Sequence, residues 1–112
     1  MLKDSLVYVG HIIERAEKIQ RFTKDMSEEE FLKDEKTLSA VMRELEVMGE
    51  ASNRISEPFK LQYPEVPWRL MIAMRNLLIH DYEGANPYRV WDTIKTNIPP
   101  LLTQLNKITG KK

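Results

Sequence analysis

The apolar residues of this chain recur at steps of three and four, and this spacing limits the possible folds more than any other feature. Such steps place side chains along one face of an α-helix, whereas a half-buried strand requires strict alternation. A first helix is predicted by Leu2, Leu6, Val9, Ile13, Ala16 and Ile19, and a second by Phe31, Leu38, Val41, Leu45, Met48 and Ile55. No strand pattern or internal repeat competes with them. The sequence therefore predicts an all-α protein.

Capping residues and prolines predict where the helices begin and end. Ser27, with a glutamate three positions later, predicts an N-cap and a capping box. The helix that it opens contains no proline before Pro58, so it could be unusually long. Residues 57–67 hold three prolines, which predict a stiff connector. Three hydrophobic residues of this connector can still pack against the bundle: Phe59, Leu61 and Tyr63.

The second half of the chain predicts two further helices. Residues 68–79 are apolar on nearly every side, which is typical of a central helix surrounded by others, and Gly84 can end it. Asn86-Pro87 predicts the N-cap and first residue of a last helix, which Pro99-Pro100 kinks or restarts. We therefore expect a single domain over residues 1–112, an up-and-down bundle of four to five helices. Its surplus of apolar residues suggests a face left for a partner.

Composition excludes several classes of function. The 17 basic and 17 acidic residues cancel, so no global charge draws the chain to nucleic acid or membrane, and any RNA contact requires a local patch. The absence of cysteine excludes disulfides, thiolate catalysis and Cys-ligated zinc. The longest apolar run, residues 70–74, is too short to span a bilayer, and no basic stretch followed by an apolar run opens the sequence. We expect a cytoplasmic protein without membrane contact.

The residues able to carry chemistry gather in one segment, Arg75-Asn76-Leu77-Leu78-Ile79-His80-Asp81-Tyr82. A neutral imidazole can take a proton from a ribose 2′-hydroxyl or give one to a leaving oxygen, and a guanidinium can stabilise charge on a phosphate. His80 and Arg75 are therefore the candidate catalytic residues. Asn76 could orient either group, and the Tyr82 phenol could hydrogen-bond the site or stack on a base. This chemistry requires no metal and no cofactor.

The spacing of these residues does not by itself bring them together. On a straight helix Arg75 and His80 lie about 140° apart, so they meet only if the helix ends or a second subunit contributes. Arg75 and Tyr82 would be nearly co-facial if the helix persisted past His80. From spacing alone a structural role is favoured, in which Arg75 and His80 cap a buried helix and Tyr82 packs in the core.

The same segment resembles the Arg-x4-His-x-Tyr motif of HepT toxins, the HEPN half of HEPN/MNT toxin–antitoxin pairs. Further blocks resemble that family in the same order: Gly49-Glu50-Ala51, Tyr63-Pro64-Glu65-Val66-Pro67-Trp68, Val90-Trp91 and Ile98-Pro99. The resemblance covers roughly residues 1–110, and flanking blocks in the right order make the motif more specific than Arg-x4-His alone.

This resemblance implies a HEPN-like helical homodimer in which two motif segments meet in a cleft and cleave RNA, in some members tRNA, without a metal. It implies that Arg75 and His80 are catalytic. The supporting residues would be Asn76, Asp81 and Glu50. The implied partner is an MNT nucleotidyltransferase antitoxin, which in some systems transfers AMP from ATP to the motif tyrosine, here Tyr82, and blocks the site. The alternative is a non-catalytic HEPN module that binds a nucleotide or scaffolds the nucleotidyltransferase.

Two polar groups have a functional interpretation and a structural one, and the structural one is favoured for both. His11 and Glu14, three residues apart on the first helix, could touch a metal, yet metal sites in helical bundles use several converging acids, so a solvated pair is favoured. Glu50 could face the cleft and orient the motif. A surface ion pair with Arg54, four residues later, is favoured over that role.

The tryptophans and a basic cluster also have a functional interpretation and a structural one. Trp68 and Trp91 could stack on bases, although their helical spacing among aliphatic residues favours core anchors. A basic cluster near the turn after the first helix could bind RNA or the antitoxin, but a solvated face is favoured. The cluster consists of Lys18, Arg21, Lys24, Lys33 and Lys36.

Overall fold

The computed structural model describes the backbone of residues 2–80 and 86–110 and the side chains of residues 4–75 and 86–110. In these ranges the chain forms helices and connecting turns and no strand, which confirms the predicted all-α class. The helices are α1 (Leu2–Phe22), α2 (Glu28–Lys33), α3 (Glu35–Arg54), α4 (Glu57–Gln62), α5 (Trp68–His80), α6 (Pro87–Asp92) and α7 (Ile98–Ile108), with a π-helical turn over Thr93–Asn97. None of the helices described is long and apolar enough to cross a membrane.

Helices α1 and α3 lie antiparallel at the centre of the core. The Ser5 hydroxyl donates to Ser56 Oγ (3.5 Å) just beyond the end of α3, and Arg15 donates to Glu44 (3.1 Å) nearer its middle. The buried residues between the two helices include Val9, Ile12, Ala16, Ile19, Val41, Leu45 and Met48. The predicted apolar face of α1 is therefore confirmed along most of its length. Leu6 is the exception at 44% exposure, because it lies at the edge of the face that centres on the fully buried residues.

The predicted long second helix is wrong, because it is broken at Asp34. The capping box at Ser27 forms as predicted and opens α2, which ends after six residues. Asp34 then has φ −103° and ψ 86°, which is not helical, and its carboxylate accepts from the backbone N–H of Thr37 (3.0 Å) to cap α3. That N–H, together with the Thr37 hydroxyl (2.7 Å), holds the pKa of the Asp34 carboxyl below its usual range. A single aspartate thus ends one helix and starts the next.

The predicted stiff connector contains a short helix, α4. The Ser56 side chain accepts from the N–H of Phe59 (3.4 Å), and Pro58 occupies the first turn, where its missing N–H costs nothing. Phe59 is buried as predicted and Tyr63 is half-buried against it, with ring centroids 5.1 Å apart. Leu61 does not pack on the bundle, since it is 75% exposed.

Helix α5 packs along α3 and carries the segment of greatest interest. Trp68 and Met71 are buried, and the Ser52 hydroxyl donates to the Trp68 carbonyl (3.2 Å). Leu70 and Ala73 are nevertheless exposed, so the prediction of a helix surrounded on every side is wrong for the single chain. The sequence of α5 indicates that its apolar side chains favour burial, but it does not indicate which element covers them.

Residues 87–108 form one helical arm, which is interrupted by the π turn. Asn86 caps α6 as predicted, accepting from the N–H of Tyr88 (2.9 Å), with Pro87 at the first position. Pro99-Pro100 lacks the donors for the carbonyls four residues earlier, and its rings crowd them. Ahead of the two prolines lies the π-helical turn, in which the Ile98 N–H donates to the Thr93 carbonyl five residues earlier, and α7 starts beyond it, as the prediction of a kinked or restarted helix requires.

Candidate functional site

The guanidinium of Arg75 lies against α3, where it forms an ion pair with Glu50. Arg75 Nη2 is 3.5 Å from Glu50 Oε1, and the two side chains are 32% and 50% exposed. Among the described residues Glu50 pairs with Arg75 and not with Arg54, so the favoured surface pair on α3 is wrong. Glu50 instead contacts the motif, as its functional interpretation required.

The backbone of α5 approaches α3 closely because residue 49 is a glycine. A Cβ atom at Gly49 would lie 2.8 Å from the Met71 carbonyl oxygen and 2.9 Å from Arg75 Cγ. Real Cβ contacts are essentially never shorter than 3.0 Å, so any larger residue would push the helices apart. The absence of a side chain at Gly49 therefore allows the aliphatic part of Arg75 to lie directly against α3. The neighbouring residue, Glu50, orients the guanidinium.

The ion pair is partly exposed, and this decides what it can do chemically. An ion pair open to solvent contributes roughly 0–1 kcal/mol, because water screens it. Such a weak contact orients the guanidinium but costs little free energy to break, so a phosphate could replace the carboxylate as the partner of Arg75. A planar guanidinium suits phosphate better than an ammonium group does, since it presents its N–H donors as a rigid fork.

His80 lies on the same uninterrupted helix as Arg75, since α5 continues to that residue. Five helical positions correspond to about 140° around the axis, so the two backbone positions do not share a face. The side chains of Asn76 and His80 and the whole of Asp81, Tyr82 and Gly84 lie outside the described residues. The helix does not end between Arg75 and His80, so a break in the helix cannot bring the two residues together. That a second subunit contributes one of them stays a prediction.

The second half of α5 is flanked by the start of the helical arm. The Thr93 hydroxyl is 3.9 Å from Met74 Sδ, and an apolar cavity of about 30 Å³ lies between α5, α3 and the arm. Its lining includes Met71, Met74, Asn97, Ile98 and Leu101. A cavity of this size holds about one water molecule, so it is a packing gap and not a substrate pocket.

The favoured structural interpretations hold for most of the remaining residues. His11 and Glu14 are both exposed, and the described residues contain no group of three potential metal ligands. Trp68 is a core anchor, 5% exposed, with its indole N–H donating to the Tyr63 carbonyl (3.0 Å). Trp91 is only half-buried, packed on the Phe31 ring at 5.1 Å.

The basic cluster after α1 is largely a solvated face, as favoured. Lys33 pairs with Glu29 (3.2 Å), while Lys18 lies 4.0 Å from Glu44. The other three members are exposed: Arg21, Lys24 and Lys36.

Sequence analysis missed two residues that shape this region. Glu44 is buried and links the central helices through Arg15 (3.1 Å); its signal is its position on the apolar stripe of α3, beside Leu45 and one turn before Met48. Gly49 was named only within a block that resembles the family, without a structural role. Its signal is a glycine inside a predicted helix, a residue that costs helix stability unless a packing or functional reason requires it.

The fold and the site together define a class: a small helical protein in which an Arg-x4-His segment lies on a helix packed against a glycine of its neighbour. The chain belongs to the HepT-like ribonuclease family, whose model matches residues 12–108.

Individual relatives agree with this membership. A protein of Thermococcus cleftensis named "Probable ribonuclease HepT" is 45% identical over 101 residues, covering 90% of this chain and 92% of that protein. Two relatives are named "Putative RNase". One, from Methanocaldococcus jannaschii, is 42% identical over 95% of this chain and 88% of its own length. The other, from Caldanaerobacter subterraneus, is 35% identical over 99% of both. No solved structure matches the chain.

Proposed function

We propose that this protein is a metal-independent endoribonuclease and the toxin of a toxin–antitoxin pair. The observation that carries the proposal is the Arg75 guanidinium, held beside α3 by Glu50 and Gly49 in a chain of the HepT-like ribonuclease family. The names of the relatives support RNA as the substrate class.

The proposed reaction is an internal transfer at one phosphate of RNA. His80 takes the proton of a ribose 2′-hydroxyl, the 2′ oxygen attacks the adjacent phosphorus, and the bond from phosphorus to the 5′ oxygen breaks. The leaving 5′ oxygen then takes up a proton, which leaves a cyclic phosphate on one fragment and a 5′-hydroxyl on the other. Arg75 stabilises the charge on the phosphate during the transfer. Glu50, Asn76 and Asp81 act as supporting residues of this site.

A homodimer would complete the site. Arg75 and His80 occupy one continuous helix about 140° apart, so a single copy does not present both on one face. The exposed apolar residues Leu70 and Ala73 lie on the same helix and provide a surface that a second copy could cover. In a dimer, the arginine of one α5 and the histidine of the other could face one phosphate.

The proposed partner is an MNT-type nucleotidyltransferase that transfers AMP from ATP to Tyr82. The transfer joins the phenol oxygen to the α-phosphorus and releases pyrophosphate. The added group brings negative charge and bulk two residues from His80, where the RNA phosphate must bind. Intact-mass measurement after co-expression with the neighbouring nucleotidyltransferase should give one AMP adduct per modified tyrosine, absent in Tyr82→Phe. An unchanged mass would contradict this part of the proposal.

The nuclease itself is tested with purified unmodified protein, labelled RNA and EDTA. Wild type should cleave the RNA, whereas Arg75→Ala and His80→Ala should each lose at least a hundredfold in rate. Arg54→Ala, an exposed arginine on α3, serves as the matched control and should cleave normally. Cleavage that survives both substitutions would sink the proposal, and nucleotide or partner binding without turnover would favour the non-catalytic module.

A further inference from the structure

We propose that Tyr88 and Arg89, at the start of α6, form a docking surface for single-stranded RNA beside the candidate site. The inference rests on the proposed ribonuclease function and names the substrate form that the surface would take: a strand with an unstacked base next to the scissile phosphate. Neither residue belongs to the motif segment.

The helical arm runs antiparallel to α5. Thr93 contacts Met74 on α5 through its hydroxyl. The cavity between them is lined by Met71, earlier on α5, and by Leu101, later on the arm. Moving back along α5 therefore corresponds to moving forward along the arm.

The start of α6 lies level with the end of α5. Six residues separate Met74 from His80, and six separate Thr93 from Pro87. At about 1.5 Å rise per residue, each distance is about 9 Å along its helix. Residues 87–89 therefore lie at the same level along the bundle as the last turn of α5, which carries part of the motif.

Tyr88 is an exposed aromatic ring on a fixed backbone. Its side chain is 60% exposed, and its N–H donates to the Asn86 carboxamide at 2.9 Å in the helix cap. A large ring left in solvent at a defined position is suited to base stacking, which does not depend on the identity of the base. Loss of one stacking ring typically weakens binding about fivefold to a hundredfold.

Arg89 is the cation of this surface. It is exposed, and no described carboxylate lies within ion-pair distance of it. The nearest charged residues of the arm have other contacts, since Asp92 accepts from the Thr96 hydroxyl (3.2 Å) and Lys95 lies over the Trp91 ring (4.6 Å). Because the whole chain has zero net charge, a local cation next to the site carries unusual weight for phosphate binding.

The test measures binding separately from cleavage. Fluorescence anisotropy of a 5′-fluorescein single-stranded RNA of about 12 nucleotides is followed in the His80→Ala protein over a salt series. Tyr88→Ala should weaken binding about tenfold, and Tyr88→Phe, which keeps the ring, by less than about twofold. Arg89→Ala should weaken binding and lower the slope of log affinity against log salt by about 0.7.

Two control variants carry alanine substitutions far from the docking surface. Arg54→Ala removes an exposed arginine near Trp68, at the opposite end of α5 from His80, and Leu61→Ala removes a side chain that is 75% exposed on α4. Both should bind RNA as the parent does. Thermal melting checks that every variant folds, which the exposure of all four positions favours.

The outcomes separate this inference from the proposed function. If wild type cleaves RNA but Tyr88→Ala and Arg89→Ala bind with parental affinity and salt slope, the docking surface is refuted and the nuclease stands. If binding depends on both residues while wild type cleaves nothing, the surface stands and the nuclease is refuted. Equal weakening by the distant controls, or of a duplex of the same sequence, would also overturn the inference.

Discussion

Replacing Gly49 with alanine tests the close approach of α5 to α3. In a helix interior alanine is normally more stabilising than glycine by about 1 kcal/mol, because glycine loses more backbone entropy on folding. At Gly49 the new methyl carbon would meet the Met71 carbonyl at 2.8 Å. Ordinary contact begins at 3.4 Å, and Arg75 Cβ would lie closer to the new carbon than the Met71 carbonyl does, so α5 must retreat by more than about 0.6 Å. Overpacking of this kind costs about 1–3 kcal/mol, which leaves Gly49→Ala about 0–2 kcal/mol less stable than wild type.

Gly10 supplies the matched control, because it lies inside α1 with nothing within 4 Å of an added Cβ. Gly10→Ala should therefore gain about 0.5–1 kcal/mol in the free energy of unfolding. Denaturant unfolding should separate the free energies of unfolding of the two variants by about 0.5–3 kcal/mol, with Gly10→Ala above wild type and Gly49→Ala at or below it. For a domain of this size 1 kcal/mol corresponds to roughly 4–8 °C in Tm, so the difference is measurable.

The same substitution should also lower activity. Arg75 leaves α5 at the point of contact, so the retreat displaces its guanidinium from Glu50 and from the candidate phosphate position. Misplacement by 1 Å can cost about a hundredfold in rate, so a retreat of more than about 0.6 Å predicts at least a tenfold loss in kcat. A Gly49→Ala protein that is stabilised as much as Gly10→Ala and cleaves at the wild-type rate would refute the close approach as a determinant of the site.

Two further predictions concern single carboxylates. Glu50→Gln removes the charge that orients Arg75; because the pair is half-exposed, stability should change by less than about 1 kcal/mol, while kcat falls several-fold relative to the control Glu46→Gln, one turn earlier on α3. An unchanged kcat would contradict a positioning role for Glu50. Asp34 has a folded pKa below its usual 3.8, so its contribution to stability is present above pH 3.8 and is lost as pH falls through the lower folded value. The Tm of Asp34→Asn, followed from about pH 5 to about pH 2, should fall less than that of wild type; parallel curves would argue against this linkage.

Helix ends were predictable where one side chain and one turn decide them. Ser27 and Asn86 cap as their sequences indicate, since an N-cap needs only a short polar side chain and the N–H two or three residues later. The break at Asp34 was not predicted, because an aspartate within an apolar stripe is compatible both with a continuous helix and with a cap. Packing of the α2 residue Phe31 against Trp91, sixty residues away, accompanies the break, and local sequence does not record that contact.

The sequence predicts the candidate site as a set of residues and not as an arrangement. The segment from Arg75 to Tyr82 was recognisable from its polar groups and its resemblance to a family motif. The partner of Arg75 was not, because Glu50 can reach either Arg54 on its own helix or Arg75 on the next one. The packing of α5 on α3 decides between them, and that packing depends on the absence of a side chain at Gly49.

The sequence alone determined the helical class, most capping positions and the residues able to carry chemistry, because each depends on interactions within one or two turns. Only the tertiary structure shows that α5 has exposed apolar residues and that it packs closely on α3 at Gly49. It also shows that Glu50 forms its ion pair with Arg75. These properties arise where two helices meet, and the meeting depends on side chains that are distant in the chain.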